Sequence, residues 1–347
     1  MINAFTLIFV VISIFAFFEL FIQKRMNNLV YWILVFFIIV IFSIRDYSIG
    51  AGGDTEVYVE VYNEIGKLSF QQMMQFGWEP GYILLNKIIY IVCDGNERCF
   101  VVLMEVFIML PIAWYMRRIS PMPNFCLLFF VALGGIIHTG LFRQMLAFSI
   151  ILYGLKYLDC KNCSKCLNFI KFLIVILLAS SFHVTALLFL AVYFVKLKFS
   201  VRSLLICFVI SFVVYLFGYL IYSVLIKMSR IDYEMVSDGG LNKSVFMYFI
   251  AVLGVLLSRK AINKSYDIDV RLFMVAVALQ PFCLVFGLAS RFLIYFELST
   301  AVIISVLLNE ILTRVIAIRV AMLVNALVIC LMYGMFISSK YQQYLIF

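Results

Sequence analysis

Long apolar runs separated by short polar turns set the pattern of this chain. Ile2–Ile22 and Leu204–Ile226 each exceed the roughly 20 apolar residues that cross a bilayer as a helix. Leu29–Ile44 follows the first of them after a brief polar break. The runs are apolar all round, whereas a transmembrane barrel would alternate in segments of about 10 residues. Three places depart from the pattern. Arg45–Trp78 is the longest polar interruption. Within it Val57, Val61, Ile65 and Leu68 recur at three- and four-residue spacing, with Glu56, Glu60, Glu64 and Lys67 on the other face. That spacing predicts an outer-face amphipathic helix near residues 55–75. Tyr82–Cys93 is too short to cross comfortably and carries Asn86 and Lys87 behind Pro80-Gly81, which predicts a re-entrant or interfacial segment near 81–93. His183 separates Asn168–Phe182 from Val184–Val195, either two runs or one bent helix.

The composition fixes the class. Hydrophobic residues make up 66% of the 347 and charged ones 13%, against roughly 25% charged in an ordinary soluble domain. The expected fold is all-α and polytopic, a single transmembrane domain over residues 1–347 with an outer loop at 45–80 and about 12 transmembrane helices. Met1–Phe21 has no basic leader and no small-residue cleavage pattern, so it reads as a retained first span. The net charge of +9 would point a soluble protein toward nucleic acid; here it reflects cytoplasmic loops, and no nucleic-acid partner is implied. Four of the nine cysteines, Cys126, Cys207, Cys283 and Cys330, fall in apolar runs. Cys160, Cys163 and Cys166 lack a fourth ligand nearby and read as a reduced cytoplasmic turn rather than a zinc site. Cys93 and Cys99 flank a polar turn and can pair if that turn is extracytoplasmic.

Basic residues then orient the bundle. Lys24 and Arg25 place the first turn inside and the N-terminus outside, so the acidic loop Arg45–Trp78 lies outside. If Tyr82–Cys93 does not cross, the inward turns carry Arg117 and Arg118, Lys161 and Lys165, Lys196 to Arg202, Arg259 to Lys264, and Arg314 with Arg319. The same topology gathers Arg45, Asp46, Asp54, Glu79, His138, Arg143, His183 and Arg291 at one face. Charges beside hydrocarbon are costly and mark functional positions. Arg45, Arg143 and Arg291 on one side indicate an anion, because guanidinium offers a rigid fork of donors to phosphate oxygens. Arg143 and Arg291 each begin a helical run, where the helix end adds attraction for phosphate. For a single arginine, anchoring to lipid headgroups is the simpler account; three with two histidines favour a pocket. Histidine takes protons best near neutral pH, so His183 leads the base candidates, followed by Glu79 and Asp54. Asp54 follows the glycine-rich turn Gly50–Gly53, and Glu79 precedes the short segment. No nucleophile elbow, zinc-protease helix or P-loop is present.

The order of motifs resembles a known family. Arg45-Asp46, Gly53-Asp54 with Tyr58, Glu79-Pro80-Gly81-Tyr82, Phe142-Arg143-Gln144-Met145-Leu146-Ala147 and Phe182-His183-Val184-Thr185-Ala186 look like the EpsG-like family of Wzy-type polysaccharide polymerases. The likeness runs from about Ile41 to Leu190, with Arg291 as a later match. It implies a glycosyltransferase of the bacterial plasma (inner) membrane, working at the outer face on repeat units linked by diphosphate to a polyprenyl lipid such as undecaprenol. The product would be O-antigen, capsule or exopolysaccharide. Arg143, Arg291 and Arg45 would hold the diphosphate, and His183, Glu79 or Asp54 would serve as base. Gln144, His138, Asp46, Trp78 and Tyr58 would contact substrate. No cofactor is implied and no metal is required, although Asp46 with Asp54 could hold one. Membrane lipids, a flippase and a chain-length regulator are the expected partners. Two other readings compete: a flippase for the same lipid-linked sugars, which should carry polar residues through the midplane, and a membrane acyltransferase, which would need an acyl donor from inside.

Overall fold

The computed structural model describes residues 4–22, 28–44, 54–73, 75–133, 140–158, 165–229, 240–257, 260–281 and 289–314. Among these, all regular structure is helical. They gather into two compact units, one up to Phe194 and one over Val195–Arg314.

The first unit contains α1 (Ala4–Ile22), α2 (Asn28–Ile44), α3 (Asp54–Lys67), α4 (Phe70–Met73), α5 (Pro80–Val92), α6 (Glu97–Ile119), α7 (Pro123–Ala132), α8 (Phe142–Gly154), α9 (Lys165–Ser180) and a 3-10 stretch, Val184–Tyr193. Helix α6 is its axis and packs against α2, α3, α7 and α8. The Tyr31 hydroxyl donates to the Ala113 carbonyl at 2.8 Å and ties α2 to α6. Ser149 donates to the Ile108 carbonyl at 3.1 Å and ties α8 to it. Helix α7 opens on Pro123, a residue suited to the first helical position. Its free N–H groups at Asn124 and Phe125 find the carboxylate of Glu19, on α1, at 2.8 and 3.1 Å.

The amphipathic helix expected near residues 55–75 is α3, which ends at Lys67 and is followed by the short α4; its glutamates Glu56, Glu60 and Glu64 are exposed as expected. Its buried face is rotated from the expected one. Val57 is exposed, while Tyr58 and Tyr62 are buried with Val61 and Ile65. The aromatic rings carry more apolar surface than valine and take the inner positions. Tyr62 stacks on Phe100 of α6 with centroids 4.2 Å apart. Helix α5 packs beside α3, and Lys87 fixes the pair by donating to the Gly66 and Leu68 carbonyls at 2.7 and 3.0 Å. These carbonyls lie at and just beyond the end of α3, where a cation is favoured. With 13 residues, α5 spans only about 20 Å, well short of a bilayer core. Leu84, Ile88, Ile91 and Val92 line its exposed side. A disulfide joins Cys93 to Cys99 and closes the turn into α6. Gly95, at φ 72°, makes the left-handed bend there, and Asn96 caps α6 by accepting from the Cys99 N–H.

His183 does divide two elements. Helix α9 ends at Ser180 and the 3-10 stretch begins at Val184, the two packed on each other.

The second unit comprises α10 (Val201–Ser229), α11 (Gly240–Leu257), α12 (Lys260–Ser265), α13 (Asp267–Leu279) and α14 (Ala289–Arg314). Helix α13 lies against α10, α11, α12 and α14. Ser211 of α10 donates to the Ala278 carbonyl at 3.1 Å and meets the Tyr248 hydroxyl of α11 at 2.6 Å. Glu297, buried on α14, forms an ion pair with Lys243 of α11.

Two of the described helices, Glu97–Ile119 and Leu293–Ile311, are long and apolar enough to cross a membrane. Shorter apolar helices include Asn28–Ile44, Val201–Val213 and Lys243–Leu257. Together with a mean hydropathy of +1.12, they make this a membrane protein.

Candidate functional site

Glu79 sits at the N-cap of α5 but does not cap it. Its carboxylate turns to other segments instead. Oε1 accepts from the Val184 N–H at 3.1 Å and stands 3.2 Å from His183 Nδ1. Oε2 accepts from Arg143 Nη1 at 2.9 Å. One carboxylate therefore joins the start of α5, the second residue of α8 and the turn between α9 and the 3-10 stretch, elements 64 and 104 residues away. A carboxylate can only accept, so its bond to His183 places the ring proton on Nδ1 and leaves Nε2 as the imidazole's basic atom.

The N–H groups that Glu79 leaves at α5 are taken by another chain segment. Gly81 and Tyr82 donate to the Ser181 carbonyl at 2.8 and 3.3 Å. The Glu79-Pro80-Gly81 and Ser181-Phe182-His183 segments are thus bound main chain to main chain, with the carboxylate–imidazole contact beside that joint.

Arg143 is held on a second side by an aromatic face. Its guanidinium carbon lies 4.2 Å from the Trp78 ring centroid, a cation–π contact. Trp78 leans on Tyr58 and Tyr82, with both centroids 5.7 Å away. Tyr58 in turn stacks on Phe142 at 5.4 Å, immediately before Arg143 in sequence. The three polar side chains remain partly reachable: Glu79 is 16% exposed, His183 19% and Arg143 23%.

Burial pushes the Glu79 carboxyl upward, but the hydrogen bonds from His183 and the Val184 N–H, with the charge of Arg143, outweigh it and hold the group down at about 2. Glu79 is therefore ionised throughout the neutral range. A carboxylate so stabilised is a weak base and a dependable acceptor.

Four residues expected from the sequence thus come together: Trp78, Glu79, Arg143 and His183. Tyr58, against Trp78, and Gln144, next to Arg143 in sequence, are buried. Asp54 begins α3, whose next residue, Thr55, donates to the Gly140 carbonyl at 3.3 Å, just ahead of α8. Arg291 lies in the first turn of α14, in the second unit, so both predicted helical starts at Arg143 and Arg291 exist. Arg45, Asp46 and His138 fall outside the described residues. Among the described residues, no three of His, Cys, Asp and Glu gather as metal ligands. Gly81 and Ser181 complete the site without having been expected there. The signal was the Pro-Gly pair directly after a charged residue, which marks a helix start with room for close approach.

An ionised carboxylate thus bridges a guanidinium and an imidazole at the start of a short apolar helix in a membrane protein. The chain belongs to the EpsG family, whose model matches residues 28–346. That match takes in every residue of the site and points to polysaccharide synthesis by a glycosyltransferase-type membrane protein. No curated protein and no solved structure matches the chain.

Proposed function

We propose that this protein is a polysaccharide polymerase of the bacterial plasma membrane, joining polyprenyl-diphosphate-linked oligosaccharide repeat units at the outer face. In this reading the chain crosses the membrane about 12 times as one domain. The Cys93–Cys99 pair supports an outward position for the α5–α6 turn, because disulfides persist in oxidising compartments.

The observation that carries the proposal is the shared carboxylate of Glu79, which places a cation and a base side by side. His183 Nε2 takes the proton from the acceptor sugar hydroxyl. The hydroxyl oxygen bonds to the anomeric carbon of the growing chain as the bond from that carbon to the diphosphate oxygen breaks. The electron pair leaves on polyprenyl diphosphate. Arg143 bears the charge that builds there, an effect usually larger than proton transfer itself; from the sequence, Arg291 and Arg45 are further candidates for that role. Of the three base candidates, His183 takes the role, because Glu79 is committed to Arg143, Val184 and His183. Glu79 holds the imidazole in its useful tautomer. Trp78 packs the guanidinium and offers an aromatic edge to the sugars.

The test is reconstitution of the purified protein in liposomes with a synthetic lipid-linked repeat unit. Wild-type protein should give a ladder of chains and release polyprenyl diphosphate. Arg143→Ala should leave single units. A protein that moves the lipid across the bilayer without joining units would be a flippase, and the polymerase proposal would fall.

A further inference from the structure

We propose that Gly81 is a positioning residue of this site, setting the register between Glu79 and His183 by admitting the Ser181 carbonyl to the first turn of α5. A Cβ built on Gly81 would lie 2.4 Å from Ser181 Oγ, 2.8 Å from the Ser181 carbonyl oxygen and 3.1 Å from its carbon. No rotamer change relieves this. Two of the three atoms are main chain, and the hydroxyl is itself engaged, donating to the Leu178 carbonyl at 2.7 Å. The Gly81 and Tyr82 N–H groups are the donors that a helix start leaves free, and the Ser181 oxygen takes both. Any side chain at position 81 forces the two segments apart.

That separation passes straight to the reactive pair. Glu79 lies two residues before Gly81, and His183 two residues after Ser181. Their contact at 3.2 Å is already at the long end of a hydrogen bond. Widening the joint by about half an ångström breaks it. The Nδ1 proton then loses its acceptor, and the imidazole is free to carry its proton on Nε2, where the lone pair is needed. Gly81 acts through Glu79 on His183 and touches no substrate. Its consequence for turnover rests on the proposed role of His183; its geometric effect does not.

The experiment uses full-length protein in detergent, labelled with nitrogen-15 at its two histidines. Two-bond proton–nitrogen correlations distinguish Nδ1–H from Nε2–H imidazole, and His138→Gln assigns the remaining signals to His183. Wild-type protein should show His183 with a proton on Nδ1. Gly81→Ala should lose that signature. Gly77→Ala, in the same loop with nothing within 4 Å of its added Cβ, should keep it. Ser181→Ala removes the hydroxyl but leaves the carbonyl and should also keep it. In the polymerisation assay Gly81→Ala should lower kcat about 10²-fold with KM within about twofold. An Nε2–H tautomer in the wild type, an unchanged signature in Gly81→Ala, or a lost one in Ser181→Ala would each overturn the proposal; the wild-type and Ser181→Ala outcomes stand even if Gly81→Ala fails to fold. The expected tautomers without any polymer product would overturn only the polymerase proposal.

Discussion

Replacing Glu79 by glutamine keeps the shape of the side chain and removes its charge, so the consequences can be worked through the three bonds it makes. The carboxyl falls from 4.5 to about 2 on folding, which corresponds to about 3 kcal/mol favouring the ionised form. The side chain is only 16% exposed, so solvent screening takes a modest share of this. The sign follows from the depressed value. The contribution is fully present above pH 4.5 and is lost as pH falls toward 2. Glu79→Gln should therefore unfold more readily than wild type at pH 7, by up to about 3 kcal/mol, because the hydrogen bonds from His183 and the Val184 N–H, and then the charge of Arg143, no longer meet a carboxylate. The difference should shrink as pH is lowered through 4.5, since protonation of the wild type reproduces the loss. Thermal unfolding of both proteins in detergent, stepped from pH 7 to pH 3, measures this directly. Parallel curves, with a constant gap at every pH, would show that the Glu79 charge is not stabilised by its neighbours, and the account of the site would fail.

Four further outcomes follow from the same geometry. His183→Gln should reduce turnover about 10²–10⁴-fold in the liposome assay while substrate still binds; undiminished polymer would remove His183 from the base role. Arg143→Lys keeps the charge but loses the planar fork that meets Glu79 and the face that lies on Trp78, so product length should drop nearly as far as in Arg143→Ala. Arg291→Ala should leave the first unit folded, with an unchanged His183 tautomer, yet fail to make long chains; normal ladders would confine diphosphate binding to other residues. Reducing the Cys93–Cys99 bond should lower thermal stability by about 2 kcal/mol, read as a shift in the unfolding midpoint between oxidised and reduced protein.

Much of the site was legible because its residues violate the rule of their surroundings. Glu79, Arg143 and His183 are polar groups placed where apolar runs begin or break, and such groups need a reason to be there. Sequence spacing also foretold the helical starts at Arg143 and Arg291 and the short α5. It did not foretell which face of α3 turns inward. The three- and four-residue spacing of Val57 and Val61 competes with that of Tyr58 and Tyr62, and only packing on Phe100 and Phe142 decides between them. Nor did it separate the roles of the two strongest base candidates. Glu79 and His183 are 104 residues apart, and pairing across that distance is a property of the fold. The Gly81–Ser181 joint was hidden for the same reason, since a main-chain carbonyl has no sequence signature.

The Arg143–Trp78 contact also gives the site an optical probe of its own. An indole with a guanidinium 4.2 Å from its ring centre emits in a field set by that cation. An arriving pyrophosphate that draws the guanidinium off the ring would change both the colour and the yield of that emission. The chain has three tryptophans, and Trp32 and Trp114 lie elsewhere, on α2 and α6. With those two replaced by phenylalanine, the remaining fluorescence belongs to Trp78 and would report occupancy of the cation in real time, before any sugar is transferred.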